Sequence, residues 1–177
     1  GMIDIAREQI AGGAHGLDVC VALTERSDES VLMENLVKKL SLEVPVPLII
    51  DTTEPEVMEA ALKKAPGKCL INSTNLEAGE EKARRVMTLV KKYNAALMML
   101  TIDEHGMAKT ADRKLEIARR LFELATNQFG LKPQDLVFDV LTFTLATGDP
   151  EYANSAIETL EGIRKIKAHL PGTHTSL

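Results

Sequence analysis

Tryptophan is absent from this 177-residue chain, and aromatic residues of any kind make up only 3% of it. That scarcity excludes the aromatic stacking platforms on which single-stranded nucleic acids are bound. A basic surface is missing too. Twenty-one Lys and Arg stand against 26 Asp and Glu, a net charge of −5, and the pI is ≈ 5.4, which argues against a phosphate-tracking face. No apolar run approaches the ~20 residues that span a bilayer, and the first residues lack a signal-peptide pattern. Two cysteines, Cys20 and Cys69, are too few and too far apart for a zinc knuckle. Both fall in apolar runs, so we expect buried free thiols in a reducing, cytoplasmic compartment. His15, His105, His169 and His174 show no ligand spacing, and no metal site is expected.

What the chain does have is a hydrophobic content of 45%, built from Leu, Ile, Val, Ala and Met and sufficient for one domain with a real core. Five short apolar runs each end on Asp or Asn: Gly16–Asp18, Pro47–Asp51, Cys69–Asn72, Leu97–Asp103 and Leu136–Asp139. Helical apolar spacing fills the stretches between them. Examples are Val31, Leu32, Leu36, Val37 and Leu40, then Val57, Met58, Ala61 and Leu62, then Leu115, Ile117, Ala118, Leu121, Phe122 and Leu124. Pro55 suits a helix's first turn, and Gly67 and Gly130 suit its end. Continuous apolar runs alternating with helices read as buried parallel strands joined by right-handed crossovers. Parallel strands point one way, so their polar last residues gather at one edge of the sheet, where folds of this class bind ligands.

We count five complete strands between two helices that lack a strand partner, Ile3–Gly12 and Pro150–Leu170. A closed (β/α)8 barrel needs eight strands and typically ~250 residues. The expected fold is therefore α/β: a partial TIM barrel lacking its first strand and its last two or three, with residues 1–177 forming one domain truncated at both ends. Its open sheet edges invite pairing with another copy or a neighbouring domain. The residues Gly12–Gly13–Ala14–His15–Gly16 precede a strand instead of following one, so they are not a dinucleotide fingerprint.

Carboxylates and carboxamides at such a mouth suit a heterocycle rich in N–H and C=O groups, because Asp accepts from adjacent N–H donors and Asn both donates and accepts. A pterin or purine edge fits; a phosphate does not. Several ordered motifs then resemble one family. They are Gln9–Val19, Pro47–Thr53, Ile71–Asn75, Thr101–Thr110, Asp135–Asp139, Leu145–Asp149 and Thr159–Ile163. Together they are similar to the pterin-binding methyltransferases: the methyltetrahydrofolate-binding domain of cobalamin-dependent methionine synthase, and the methyltetrahydrofolate:corrinoid/iron–sulfur protein methyltransferases.

The resemblance implies a barrel that binds methyltetrahydrofolate and presents its N5-methyl group to a corrinoid (cobalamin) carried by a partner protein or domain. It implies that Asp51, Asn72 and Asp139 hold the pterin ring, with Asp18 matching the family's first Asp motif. Asp103 and Ser73 are further candidates at the same mouth. The chain departs from the family at Cys20, where an asparagine is usual, and at Val140 and Thr144, where prolines are usual. The family asparagine that takes part in activating N5 would fall beyond Leu177, so no catalytic residue is assigned. Two other readings stand beside the methyltransferase: a non-catalytic pterin-binding or assembly module, and a dihydropteroate synthase-like enzyme.

Overall fold

The computed structural model describes residues 1–22, 27–144 and 152–177. The stretch Leu145–Asp149, part of the family resemblance, and Pro150, the expected start of the last helix, lie outside them.

The chain opens with helix α1 (Met2–Ala11) and then alternates: β1 (Leu17–Cys20), α2 (Glu29–Glu43), β2 (Leu48–Asp51), α3 (Pro55–Leu62), β3 (Leu70–Thr74), α4 (Glu80–Tyr93) and β4 (Ala96–Leu100). A short hairpin, β5 (Ile102–Asp103) and β6 (Gly106–Met107), leads into α5 (Ala111–Glu123). A π-helical turn at Leu124–Gln128 extends α5, and β7 (Leu136–Asp139), α6 (Ser155–His169) and β8 (His174–Ser176) complete the order. One six-stranded sheet runs β1-β2-β3-β4-β7-β8, and every pairing in it is parallel.

Sequential neighbours joined by right-handed crossovers place their helices on one side of the sheet. Burial along the strands follows that rule. Leu17, Val19, Leu48, Ile50, Ile71, Leu97, Met99, Leu136 and Phe138 are buried with Met33, Val37, Met58, Met87, Ile117 and Leu121 from the helices. The alternate strand residues, on the opposite face, are only half-buried or exposed. Strand side chains repeat every second residue, so the core occupies one face and leaves the other as an open floor with polar ends. This is the wall of a barrel, matching the α/β expectation.

Three local expectations are corrected. A sixth strand exists: His174–Ser176 pairs with Val137–Asp139, in the tail from which no strand was expected. Its side chains are polar, and its pairing is through the backbone. The fourth strand ends at Leu100 instead of running on to Ile102, because the chain folds back into the β5–β6 hairpin. Asp103 Oδ1 accepts from the His105 amide at 3.0 Å, an Asx-type turn that competes with strand extension. Cys69 is buried as expected, and burial pushes its thiol up, but Cys20 is exposed. Cys20 shares Asp18's face of β1, opposite Leu17 and Val19.

The buried face of α5 should dominate stability. Leu121→Ala is expected to cost about 2–5 kcal/mol, whereas Leu42→Ala, at a residue 81% exposed, should stay within about 0.5 kcal/mol of the parent. Urea unfolding of the two variants checks this.

Candidate functional site

Strand register decides which polar ends meet. Cys20 pairs with Asp51 across β1 and β2, and Asp51 pairs with Asn72 across β2 and β3. Paired residues of neighbouring strands are about 5 Å apart and share a face, so the Asp51 and Asn72 side chains are immediate neighbours on the open face. Asp18 is the second residue of β1 and not its last, yet it reaches the same group. Its carboxyl is pushed above the usual 3.8 by partial burial and then by the Asp51 carboxylate, while a hydrogen bond with Asn72 opposes the rise. Asp18, Asp51 and Asn72 therefore form one electrostatic cluster.

Asp139 is paired with Leu100, and Asn72 with Met98, two residues earlier on the same strand. Asp139 thus stands one step nearer the carboxyl edge, a stagger of about 7 Å on a strand rising ~3.3 Å per residue. Oblique climbing of this kind accompanies the tilt of barrel strands. The Asp139 Oδ1 accepts from the Leu141 amide at 2.9 Å, and its carbonyl accepts from the Thr101 amide at 3.2 Å.

Beside Asp51 opens a cavity of ≈ 360 Å³ lined by Cys20, Ala22, Glu29, Thr52, Thr53 and Glu54, within the ~300–1,000 Å³ range of small-molecule sites. Its wall is braced by Thr52, whose hydroxyl donates to Glu29 at 3.3 Å and accepts from the Glu54 amide at 3.2 Å. A roomier cavity of ≈ 720 Å³ lies between α1 and α2, lined largely by apolar residues such as Met2, Ile3, Leu32 and Leu36. Its charged and amide side chains are limited to Asp4, Asn35 and Lys39, and size alone does not recognise a polar ring.

The structure does not bring the two further candidates to this face. Asp103 is wholly buried in the hairpin, ion-paired with Arg113 and, at 3.3 Å, with Arg120. Arg120 also grips Glu104 through both carboxylate oxygens at 3.0 and 3.1 Å, which holds the Glu104 carboxyl down at about 2. Asp103 and Glu104 thus tie the hairpin to α5. Ser73 lines a neighbouring cavity of ≈ 180 Å³, which shares Thr53 with the one beside Asp51, against Lys82 and Val86 of α4. Among the described residues, no group of three His, Cys, Asp or Glu side chains is arranged to hold a metal ion, and no helix is long and apolar enough to cross a membrane.

Sequence reasoning overlooked Glu29, which reaches the cavity from the start of α2, and Lys114, buried on the inner face of α5. The signal for Lys114 was available: a lysine three residues after Ala111 and four before Ala118 sits within the apolar stripe of its helix.

A family model described as pterin binding enzyme matches residues 1–175. The chain belongs to the pterin-binding enzyme family. It is 41% identical to methionine synthase from Mycobacterium tuberculosis and 39% identical to methionine synthase from Mycobacterium leprae, in each case over 99% of this chain. The chain spans only 15% of the length of those relatives. Among solved structures, dihydropteroate synthase from Xanthomonas albilineans superposes with a TM-score of 0.66 at 17% identity, covering 98% of this chain and 61% of that one. Dihydropteroate synthase from Burkholderia cenocepacia gives 0.63 at 23%, covering 99% and 61%. At those identities the likeness is one of fold: the TIM-barrel-like fold of pterin-binding proteins.

The family membership makes the carboxylate cluster testable. Burial and Asp51 raise the Asp18 carboxyl, so folding is favoured where Asp18 is protonated and weakened as pH rises from 3.8 through its folded value. Replacing Asp51 by Asn should shift the Asp18 titration, followed by carboxyl-carbon NMR, down toward 3.8. Asp18→Asn should raise stability above pH 4, though modestly because Asp18 is solvent-accessible, and should leave it unchanged below pH 3.

Proposed function

We propose that this chain is a methyltetrahydrofolate-binding domain that holds the pterin for transfer of its N5-methyl group to a corrinoid on a partner protein or domain. The observation that carries the reading is the placement of Asp51 and Asn72 side by side at the carboxyl edge of the sheet, with Asp18 coupled to both and Asp139 one step above. A pterin presents its amino group and ring N–H along one edge as adjacent donors, which a carboxylate accepts as a pair. An asparagine beside it both donates and accepts, so it can read a ring atom and the neighbouring carboxylate together. Among the described residues, the strand positions on this face carry three carboxylates and no Lys or Arg, which favours a donor-rich neutral ring over a phosphate.

The 41% identity to methionine synthase supports a folate as the ring's source and a corrinoid-bearing partner, and the chain's 15% share of that relative leaves room for that partner in the same polypeptide. When bound, the corrinoid supplies the cobalt nucleophile that accepts the methyl group. The residues of this chain hold the pterin plane, orient N5 toward the mouth and exclude water from the ring edge, which lowers the barrier by positioning. As the C–N bond breaks, N5 gains electron density and must take a proton or a strong hydrogen bond. A donor whose hydrogen bond tightens at that moment assists departure, whereas the ionised carboxylates of this face only accept and serve to hold the ring. The dihydropteroate synthase reading draws its support from fold alone.

Calorimetric titration with methyltetrahydrofolate tests the proposal. The parent chain should bind saturably, and Asp51→Ala and Asn72→Ala should each weaken binding about 10–100-fold, as expected when one partner of a charged hydrogen bond is removed. A folded parent that does not bind, or variants that bind as it does, would contradict it.

A further inference from the structure

Lysine is almost never fully buried without a paired charge, yet Lys114 is 1% exposed. Its ammonium donates to the Val140 carbonyl at 2.7 Å and to the Leu141 carbonyl at 2.9 Å. These are the two residues that follow Asp139. Leu141 is gripped again through its amide, which donates to Asp139 Oδ1 at 2.9 Å, and through its carbonyl, which also accepts from the Thr159 hydroxyl at 3.0 Å. The residue so held has a φ of 57°, in the left-handed region that a leucine adopts only when its surroundings impose it.

The lysine stem has a built channel. A Cβ added at Gly162 of α6 would come within 2.9 Å of Lys114 Cδ and 3.0 Å of Val140 Cγ1, so glycine is what lets the stem pass between α5 and α6. Two carboxylates act on the ammonium, Asp139 from β7 and Glu158 from α6, and both favour its charge, while burial opposes it and prevails.

We infer that Lys114 is a positioning residue: seated on the Val140 and Leu141 carbonyls, its ammonium fixes the turn that orients the Asp139 carboxylate, and so sets pterin affinity without touching the pterin. The inference rests on the pterin reading above. A neutral side chain of similar length fills the channel but leaves both carbonyls without their charged donor, and Leu141 is then free to leave the conformation that presents its amide to Asp139.

A double-mutant cycle tests the linkage, using calorimetric affinity for methyltetrahydrofolate with urea unfolding as a separate readout. Lys114→Met should weaken binding about tenfold, the scale of one charged hydrogen bond. In an Asp139→Asn background the same change should cost little more, because the two residues act as one unit. Combined with Asp51→Ala on β2, the losses should add. A purely structural lysine would lower stability and leave affinity unchanged in the folded fraction; that result, or losses that add with Asp139→Asn, overturns the inference while the pterin reading stands. Should Lys114→Met fail to fold, Gly162→Ala keeps every hydrogen-bonding group and presses only on the lysine stem and the Val140 side chain. It should weaken binding too, and an unchanged affinity there overturns the role. Absence of saturable binding by the folded parent overturns the pterin reading and this inference with it.

Discussion

Backbone register between parallel strands is the constraint on which the site depends. Each strand binds the next through evenly spaced hydrogen bonds, so the level of any one side chain is inherited by its neighbours along the sheet. Leu48 to Asp51 stand against Leu17 to Cys20, and Ile49 to Asp51 against Leu70 to Asn72. A slip of one residue in β2 would turn Asp51 toward the helices and Ile50 toward the open face. Burial forbids that slip, because Ile50, Ile71 and Leu97 are completely enclosed and each such side chain contributes about 1.5–3 kcal/mol by staying so. The apolar core thereby determines where the carboxylates go, although it never touches them.

A second layer of polar contacts finishes what register begins. Strand ends are less constrained than strand centres, and the chain around Asp51, Asn72 and Asp139 is secured by contacts from outside their own strands. Thr52 and Glu29 brace the chain after Asp51. The Thr52 amide donates to the Asn72 carbonyl at 2.9 Å, tying the ends of β2 and β3 together. Beyond Asp139, Lys114, Ser155 and Thr159 hold backbone groups of Val140, Leu141 and Phe143. On the proposed reading, a face that grips a flat ring has to be held to fractions of an ångström, and helices packed behind the sheet supply that rigidity. The hairpin at Asp103 serves the same end: its buried carboxylate, held by Arg113 and Arg120, connects the end of β4 to α5.

Much of this was legible in the residues, for identifiable reasons. Runs such as Leu48–Ile49–Ile50–Asp51 announce a strand because they are short, rich in β-branched residues and bounded by Pro47 and Asp51, and parallel direction gathers their polar last residues at one edge. Helices α2, α3 and α5 declared themselves by apolar period. Less legible were features decided by tertiary pairing. His174–Ser176 has no apolar signal, and its strand exists because β7 offers an unpaired edge. Asp103 ends an apolar run just as Asp51 does, yet a local turn and two arginines from α5 draw it away from the face. Cys20 reads as core by residue type, but alternation with Val19 turns it outward. Asp18, Asp51 and Asn72 could be named as polar strand residues, while their mutual coupling required knowledge of which strands are adjacent. The role of Lys114 required the position of α5 relative to the turn after β7.

The most direct test of the central claim, that one face of this sheet presents a pterin site at its carboxyl edge, is amide chemical-shift mapping of the isotope-labelled chain as methyltetrahydrofolate is added. The account predicts shifts concentrated at Cys20, Asp51–Thr53, Asn72–Ser73 and Val140–Leu141, with the outer faces of α2 and α4 unmoved. Shifts centred instead on the apolar groove at Met2, Leu32 and Leu36 would contradict it.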